Sequence, residues 1–218
     1  MYSIQSLSLI ALMGCGSLFS IPSTSQLPPV NVLPEAVNAT MALVGDGGMV
    51  YCSGVISDRL LITAAHCVDD NETTTAGYRG IGDTVGATHV FDTIYFDEAQ
   101  DLAILRPQKH QLPEGRPLAP AAPYDGDRVV VVGHPGGLTW TITEGIVSRS
   151  SRYSGLGATQ HWMQMSAPIW FGNSGGPVFN TYGEVVGIAS FIVHGQAHLG
   201  GAVHWNEIYS AVQSLKEK

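Results

Sequence analysis

From Ala39 onward the chain is written in short apolar runs separated by turn residues. The runs are Thr40–Val44, Val50–Ile56, Leu60–Ala64, Thr93–Phe96, Leu102–Leu105, Val129–Val132, Thr141–Val147, Val178–Phe179 and Val185–Phe191. Runs of this length, broken by Gly, Pro, Asn and Asp, predict the strands of an all-β sandwich or a pair of barrels. The proline-rich stretch from Pro113 to Pro123 predicts a link between two halves. Only the last segment has a helical period: Ile208, Val212 and Leu215 form an i, i+4, i+7 stripe within Glu207–Lys216.

The first residues follow a different pattern. Ile4 to Met13 is mostly apolar and too short to span a bilayer comfortably, so it reads as the core of a secretory signal, although no Lys or Arg precedes it. Leu12-Met13-Gly14-Cys15 resembles a bacterial lipobox, which makes Cys15 a candidate for lipidation and membrane attachment. Ordinary cleavage nearby and an uncleaved anchor running to Ile21 are the alternatives. Residues 1–19 are then a leader, and 20–38 a tether. Ser20 to Pro34, rich in Ser, Thr and Pro, is expected to be extended and poorly ordered. This arrangement predicts an extracytoplasmic protein, secreted or lipid-anchored on a bacterial envelope.

Composition narrows the class. The 218 residues are 44% hydrophobic but only 13% charged, with 26 Gly and 12 Pro, which suits a turn-rich β protein. A net charge of −8 with no basic run would repel a phosphate backbone, so nucleic acid is excluded as a partner.

Three motifs carry chemistry. Gly172-Asn173-Ser174-Gly175-Gly176-Pro177 sets a serine between glycines. The backbone can turn sharply there, leaving the hydroxyl unobstructed and letting the amides of Gly172 and Ser174 point at a developing oxyanion. The competing interpretation is a glycine-rich turn that happens to contain Ser. Ile62-Thr63-Ala64-Ala65-His66-Cys67 places a histidine after a strand, where imidazole has the pKa to accept the proton of a serine hydroxyl. Asp101-Leu102-Ala103-Ile104-Leu105 puts an acid at the start of an apolar strand, able to accept the other ring N–H of the histidine. Asp92 and Asp97 are rivals for that role and can equally serve as loop caps.

TAAHC, DLAIL and GNSGGP, in that order and 35 and 73 residues apart, resemble the chymotrypsin-like serine proteases. The likeness runs from about Ala42 to Val212. Val130–Pro135, Thr141–Val147, Gly183–Ile188, Gly201-Ala202-Val203 and the final helix look most like the bacterial HtrA-type and glutamyl-endopeptidase branches. The resemblance implies two six-stranded β-barrels (about 39–115 and 120–204), a helix over about 205–217, and a domain filling 39–218. It implies a triad of His66, Asp101 and Ser174, an oxyanion hole from Gly172 and Ser174, and a protein or peptide substrate. It also implies a disulfide between Cys52 and Cys67, hence an oxidising compartment; two buried free thiols are the alternative. No PDZ domain is expected to follow, so the resemblance does not imply an HtrA-style oligomer.

Departures from the family pattern matter. Digestive relatives carry Asp just before the serine, paired with a freed N-terminus; Asn173 has no charge to pair, so no such activation is expected. Pro168 stands six residues before Ser174, where enzymes that cut after Lys or Arg hold Asp. Ser190-Phe191-Ile192 should form the far wall of the pocket, made shallow by Ile192. Ala189 replaces the His of glutamyl endopeptidases, although His204 is a potential substitute. The expected preference is a small or medium apolar side chain.

Loop histidines His194, His198 and His204 are taken as solvated, so no metal and no cofactor is assigned. Asn38-Ala39-Thr40 and Asn71-Glu72-Thr73 would be glycosylation sequons only in a eukaryote. The competing functions are a catalytically silent binding module with the same fold, and an esterase or acyl transferase with the same triad.

Overall fold

A computed structural model describes residues 32–70, 73–80, 84–109, 111–150, 161–192 and 199–217. Cys15 and the rest of the leader, Asn71, His194 and His198 lie outside the described residues.

Six strands come first along the chain: Thr40–Val44 (β1), Val50–Ser57 (β2), Leu60–Thr63 (β3), Thr73–Arg79 (β4), Val85–Asp97 (β5) and Leu102–Pro107 (β6). They close an antiparallel barrel in the order β1-β2-β3-β6-β5-β4. Six more follow: Arg128–Gly133 (β7), Thr141–Ser150 (β8), Trp162–Met165 (β9), Pro177–Phe179 (β10), Val185–Ile192 (β11) and Gly200–His204 (β12). These close a second barrel in the order β10-β11-β12-β9-β8-β7. The expected all-β fold of two six-stranded barrels with a C-terminal helix is the observed one. Closure leaves neither sheet with an exposed edge.

Each barrel has its own apolar centre. Met41, Leu43, Ile56, Leu61, Phe91 and Leu105 fill the first, and Val129, Val131, Val147, Met163, Met165 and Val178 the second. A third cluster joins them: Val55, Ile62 and Ile104 pack with Val132, Phe179, Ile188 and Val203. Trp140 sits in this seam and donates its indole N–H to the Thr40 carbonyl at 3.2 Å. Residues 111–127 cross between the barrels, and Leu118 forms a single parallel bridge to Val185.

The chain differs from the sequence reading in two places. The end of the expected extended tether is a helix, Val32–Ala39 (α1), with Ala36 and Val37 buried against the inter-barrel cluster. Pro34 falls in its first turn, where a missing N–H costs no helical bond, so proline did not mark a break here. Arg116 clamps the helix down, pairing with Glu35 and donating to the carbonyls of Gly183 and Tyr182. Strands β4, β9 and β12 have no long apolar run of their own. β4 is threonine-rich, while β12 gains its fill from neighbours: the Phe191 ring occupies the space a Cβ at Gly201 would need, at 2.1 Å. The last helix, Trp205–Lys216 (α2), begins three residues ahead of Ile208, the first residue of its apolar stripe, because the His204 ring accepts from the Asn206 amide and caps it.

Candidate active site

β3 ends at Thr63, and one tight turn, Ala65–Cys67, carries His66 out of the first barrel. Ala64 and Ala65 are buried, while the His66 side chain is 49% exposed. Asp101 occupies the turn between β5 and β6 at φ +53°, a left-handed conformation that Asp tolerates better than most side chains. The two residues meet closely. His66 Nδ1 is 2.9 Å from both carboxylate oxygens of Asp101, and the His66 backbone amide donates to Oδ1 at 2.9 Å. Ser190 Oγ donates to Oδ2. A carboxylate only accepts, so Nδ1 of neutral His66 carries the hydrogen and Nε2 keeps its lone pair.

The same contacts set the charges. The hydrogen bond to Asp101 raises the His66 pKa, burial pulls it down, and attraction to Asp101 adds to the rise, for a net increase above 6.5. Burial raises the Asp101 pKa, but the hydrogen bonds from the His66 ring, Ser190 and the His66 amide outweigh it, and the net change is downward. Asp101 is therefore a carboxylate throughout the neutral range. The two rival acids are used elsewhere: Asp97 accepts from the Gln100 amide and the Tyr95 hydroxyl, and Asp92 from Gln108.

Ser174 faces His66 across one cavity of about 290 Å³, lined also by Ile169, Trp170, Phe171, Ser190 and Phe191. Its hydroxyl donates to the Ser190 carbonyl over a long 3.4 Å, and among the described residues no hydrogen bond joins it to His66. Rotation about the Cα–Cβ bond moves the hydroxyl between partners; catalytic hydrogen bonds are often loose without substrate. The surrounding backbone is far more rigid. The Phe171 carbonyl accepts from the Gly136 amide at 2.8 Å, the Gly172 carbonyl from Ser53 Oγ at 2.7 Å, and the Ser174 carbonyl from the Ser53 amide at 2.8 Å. The Asn173 carbonyl, in the peptide that carries the Ser174 amide, accepts from the Gly176 amide at 2.9 Å, and the amides of Gly172 and Ser174 donate to nothing among the described residues. Two such amides can hold an anionic oxygen. Gly172 has φ +99°, and a Cβ there would meet the His134 carbonyl at 2.3 Å, so only glycine fits.

Of the expected pocket residues, Ser190, Phe191 and Ile192 line the cavity. Pro168 does not. It is exposed, with its carbonyl accepting from Thr143, because Ala167 turns inward and the chain re-enters the pocket at Ile169. Trp170 and Phe171 form an exposed aromatic rim, their rings 5.4 Å apart and edge to face. Cys52 and Cys67 form a disulfide with Cα atoms 6.1 Å apart, which consumes the sulfurs that gather with His66. His204 is not the solvated loop residue expected: it ends β12 and is buried, with Nδ1 capping α2 and Nε2 bonded to Ser150 at 3.0 Å, and it does not line the cavity. Three roles escape a motif reading: the Ser190 bond to Asp101, and the positions of Ser53 and His134 behind the serine loop. The one available signal was a polar residue inside an apolar run, at Ser53 in Val50–Ile56 and at His134 after Val129–Val132.

Two closed six-stranded barrels, a histidine–carboxylate pair from one and a glycine-flanked serine from the other define the chymotrypsin-like class. The chain belongs to the trypsin-like peptidase family, whose domain matches residues 52–188, more than half of its length. It is 51% identical over 67 residues to a probable periplasmic serine endoprotease DegP-like of Rhizobium meliloti, covering 31% of this chain and 13% of that protein. It is 37% identical over 139 residues to the mitochondrial serine protease HTRA2 of Drosophila willistoni, covering 62% of this chain and 31% of the relative. The chain thus spans less than a third of these curated relatives. The crystal structure of the serine endoprotease from Yersinia pestis superposes with a TM-score of 0.69 at 26% identity, over 84% of this chain and 66% of that one.

Proposed function

We propose that the protein is a serine endopeptidase acting through an acyl-enzyme intermediate, with Ser174 as nucleophile, His66 as general base and acid, and Asp101 as the orienting carboxylate. The observation that carries this reading is the doubly bonded His66–Asp101 pair, whose imidazole shares a cavity with Ser174. Ser174 Oγ attacks the scissile carbonyl carbon, and its proton passes to His66 Nε2. The carbonyl oxygen, now anionic, is held by the amides of Gly172 and Ser174. His66 returns the proton to the leaving amine, and water then hydrolyses the ester on Ser174 by the same route. Each amide aimed at the oxyanion contributes roughly 3–4 kcal/mol to the transition state.

The pocket suits a small or medium apolar residue before the scissile bond. Ile169, Trp170, Phe171, Phe191 and Ile192 supply the walls, and no carboxylate or imidazole besides His66 lines it. Asn173, buried and uncharged, gives a freed α-amino group nothing to pair with, so activity needs no N-terminal trimming. The disulfide and the periplasmic relatives favour an extracytoplasmic setting, and lipidation at Cys15 would anchor the protein to a membrane there. Protein and peptide substrates follow from the chemistry.

The test is cleavage of a proteome-derived peptide library by the unmodified protein and by Ser174→Ala. Cleavage by the former alone, mostly after apolar residues, is expected. A profile dominated by Lys, Arg or Glu would refute the pocket reading, and equal cleavage by both would refute the nucleophile.

A further inference from the structure

We infer that His134 and Ser53 are positioning residues for the oxyanion loop, with His134 locked as the neutral tautomer that carries its hydrogen on Nδ1. The inference rests on reading Ser174 as the nucleophile, and it concerns residues outside the triad.

The argument is a count of hydrogens. Ser53 Oγ lies 2.7 Å from the Gly172 carbonyl and 2.7 Å from His134 Nδ1. A hydroxyl has one hydrogen to give, and a carbonyl can only accept. The Ser53 hydrogen therefore goes to Gly172, and His134 must supply the hydrogen of the other bond from Nδ1. The reverse assignment would set two lone pairs against each other 2.7 Å apart between two fully buried side chains. His134 is fully buried, and its Nε2 has no partner within the described residues. The nearest ring, Trp140, meets it edge to face at 5.0 Å, but the Trp140 N–H is committed to Thr40. An unprotonated Nε2 leaves only a lone pair unpaired in that setting, whereas an Nε2–H would leave a stranded donor.

The relay has a definite target. His134 holds Ser53, Ser53 holds the Gly172 carbonyl through its hydroxyl and the Ser174 carbonyl through its amide, and the turn just after His134 holds the Phe171 carbonyl through Gly136. The His134 carbonyl presses on Gly172 closely enough to exclude any side chain there. One buried imidazole and its own turn thus grip the Phe171 carbonyl, whose peptide carries the Gly172 amide, and the Gly172 and Ser174 carbonyls on either side of the Asn173–Ser174 peptide, which carries the Ser174 amide. Burial pushes the His134 pKa down to about 4, which keeps it neutral in working conditions.

The test compares His134→Leu, Ser53→Ala and His134→Asn in the full chain, with peptide kinetics and melting temperature for each. Leu removes the donor; Asn restores an N–H at nearly the place of Nδ1. Leu and Ala are expected to lower kcat by about ten- to hundred-fold with KM changed less than about threefold, and Asn to recover most of the loss. A purely structural role would lower melting temperature without this split and without rescue by Asn. Nitrogen-15 NMR of the unmodified protein reads the tautomer without any variant: an Nδ1-protonated His134 is expected, and an Nε2-protonated one overturns the inference even where the variants misfold. Unchanged kcat in both Leu and Ala also overturns it. If the unmodified protein cleaves nothing, the reading of Ser174 fails and this inference with it, while cleavage with unaffected variants removes only the relay.

Discussion

Replacing Asp101 with Asn removes one charge and almost no volume, so it isolates what the carboxylate does. Asp101 receives three hydrogen bonds, from His66 Nδ1, the His66 amide and Ser190 Oγ, all on its two oxygens. Asn offers one oxygen and one NH₂ group. Whichever way it is turned, a donor of Asn faces a donor of its neighbours unless His66 changes tautomer. The outcome is an imidazole with its hydrogen on Nε2, unable to accept the proton of Ser174. That loss is worth roughly 10⁴-fold in kcat, or about 5–6 kcal/mol of transition-state stabilisation. The pH profile gives a second reading. The two influences that raise the His66 pKa both come from Asp101, and burial alone remains to lower it. The acid limb of kcat/KM, expected above pH 6.5 in the unmodified enzyme, should therefore move to lower pH in Asp101→Asn. Kinetics with a fluorogenic peptide across pH 4 to 9, alongside a melting curve, measure both. A rate within tenfold of the unmodified enzyme, in a variant that melts normally and keeps its acid limb, would refute this account of Asp101.

Other perturbations test separate parts of the structure. Gly172→Ala forces a Cβ to within 2.3 Å of the His134 carbonyl at φ +99°; the loop should swing, costing about 10²–10³ in kcat through loss of one donor. Unchanged turnover would mean that this amide does not meet the oxyanion. His134 is neutral when folded and gains its proton on unfolding below pH 6.5, so its contribution to stability is complete above pH 6.5 and fades as the pH falls towards about 4. The total is roughly 3 kcal/mol, and urea midpoints at pH 7 and pH 4 should show a smaller difference in His134→Asn. Opening the Cys52–Cys67 bridge by a double Ala substitution should cost about 3 kcal/mol, the amount expected for a cross-link closing 15 residues. An unchanged midpoint would show that the bridge is redundant for the fold.

The two parts of the molecule were legible in sequence for different reasons. Strands such as β6 and β7, buried along most of their length, appear as unbroken apolar runs, and a motif reading finds them. β4 and β12 do not, because their place is secured by neighbours, as when Phe191 and Ile169 fill the space above Gly201 and Gly200. α1 was hidden by Pro34, which signals a break unless its position in the first turn is known. In the site, His66, Asp101 and Ser174 stand in distinctive local strings, so each was visible alone. Ser53 and His134 are 81 residues apart, and their partnership with Gly172 exists only after the barrels close. Pro168 shows the converse: a position matched by counting back from Ser174 faces outward once the chain's alternation is seen.

The central claim is that the Ser174 hydroxyl is nucleophilic because His66 and Asp101 take its proton. Treating the full chain with a fluorophosphonate and weighing it intact tests this directly. One adduct is expected, mapped to Ser174 and absent from Ser174→Ala and His66→Ala. A folded protein that stays unlabelled, or that labels equally well without His66, would contradict it.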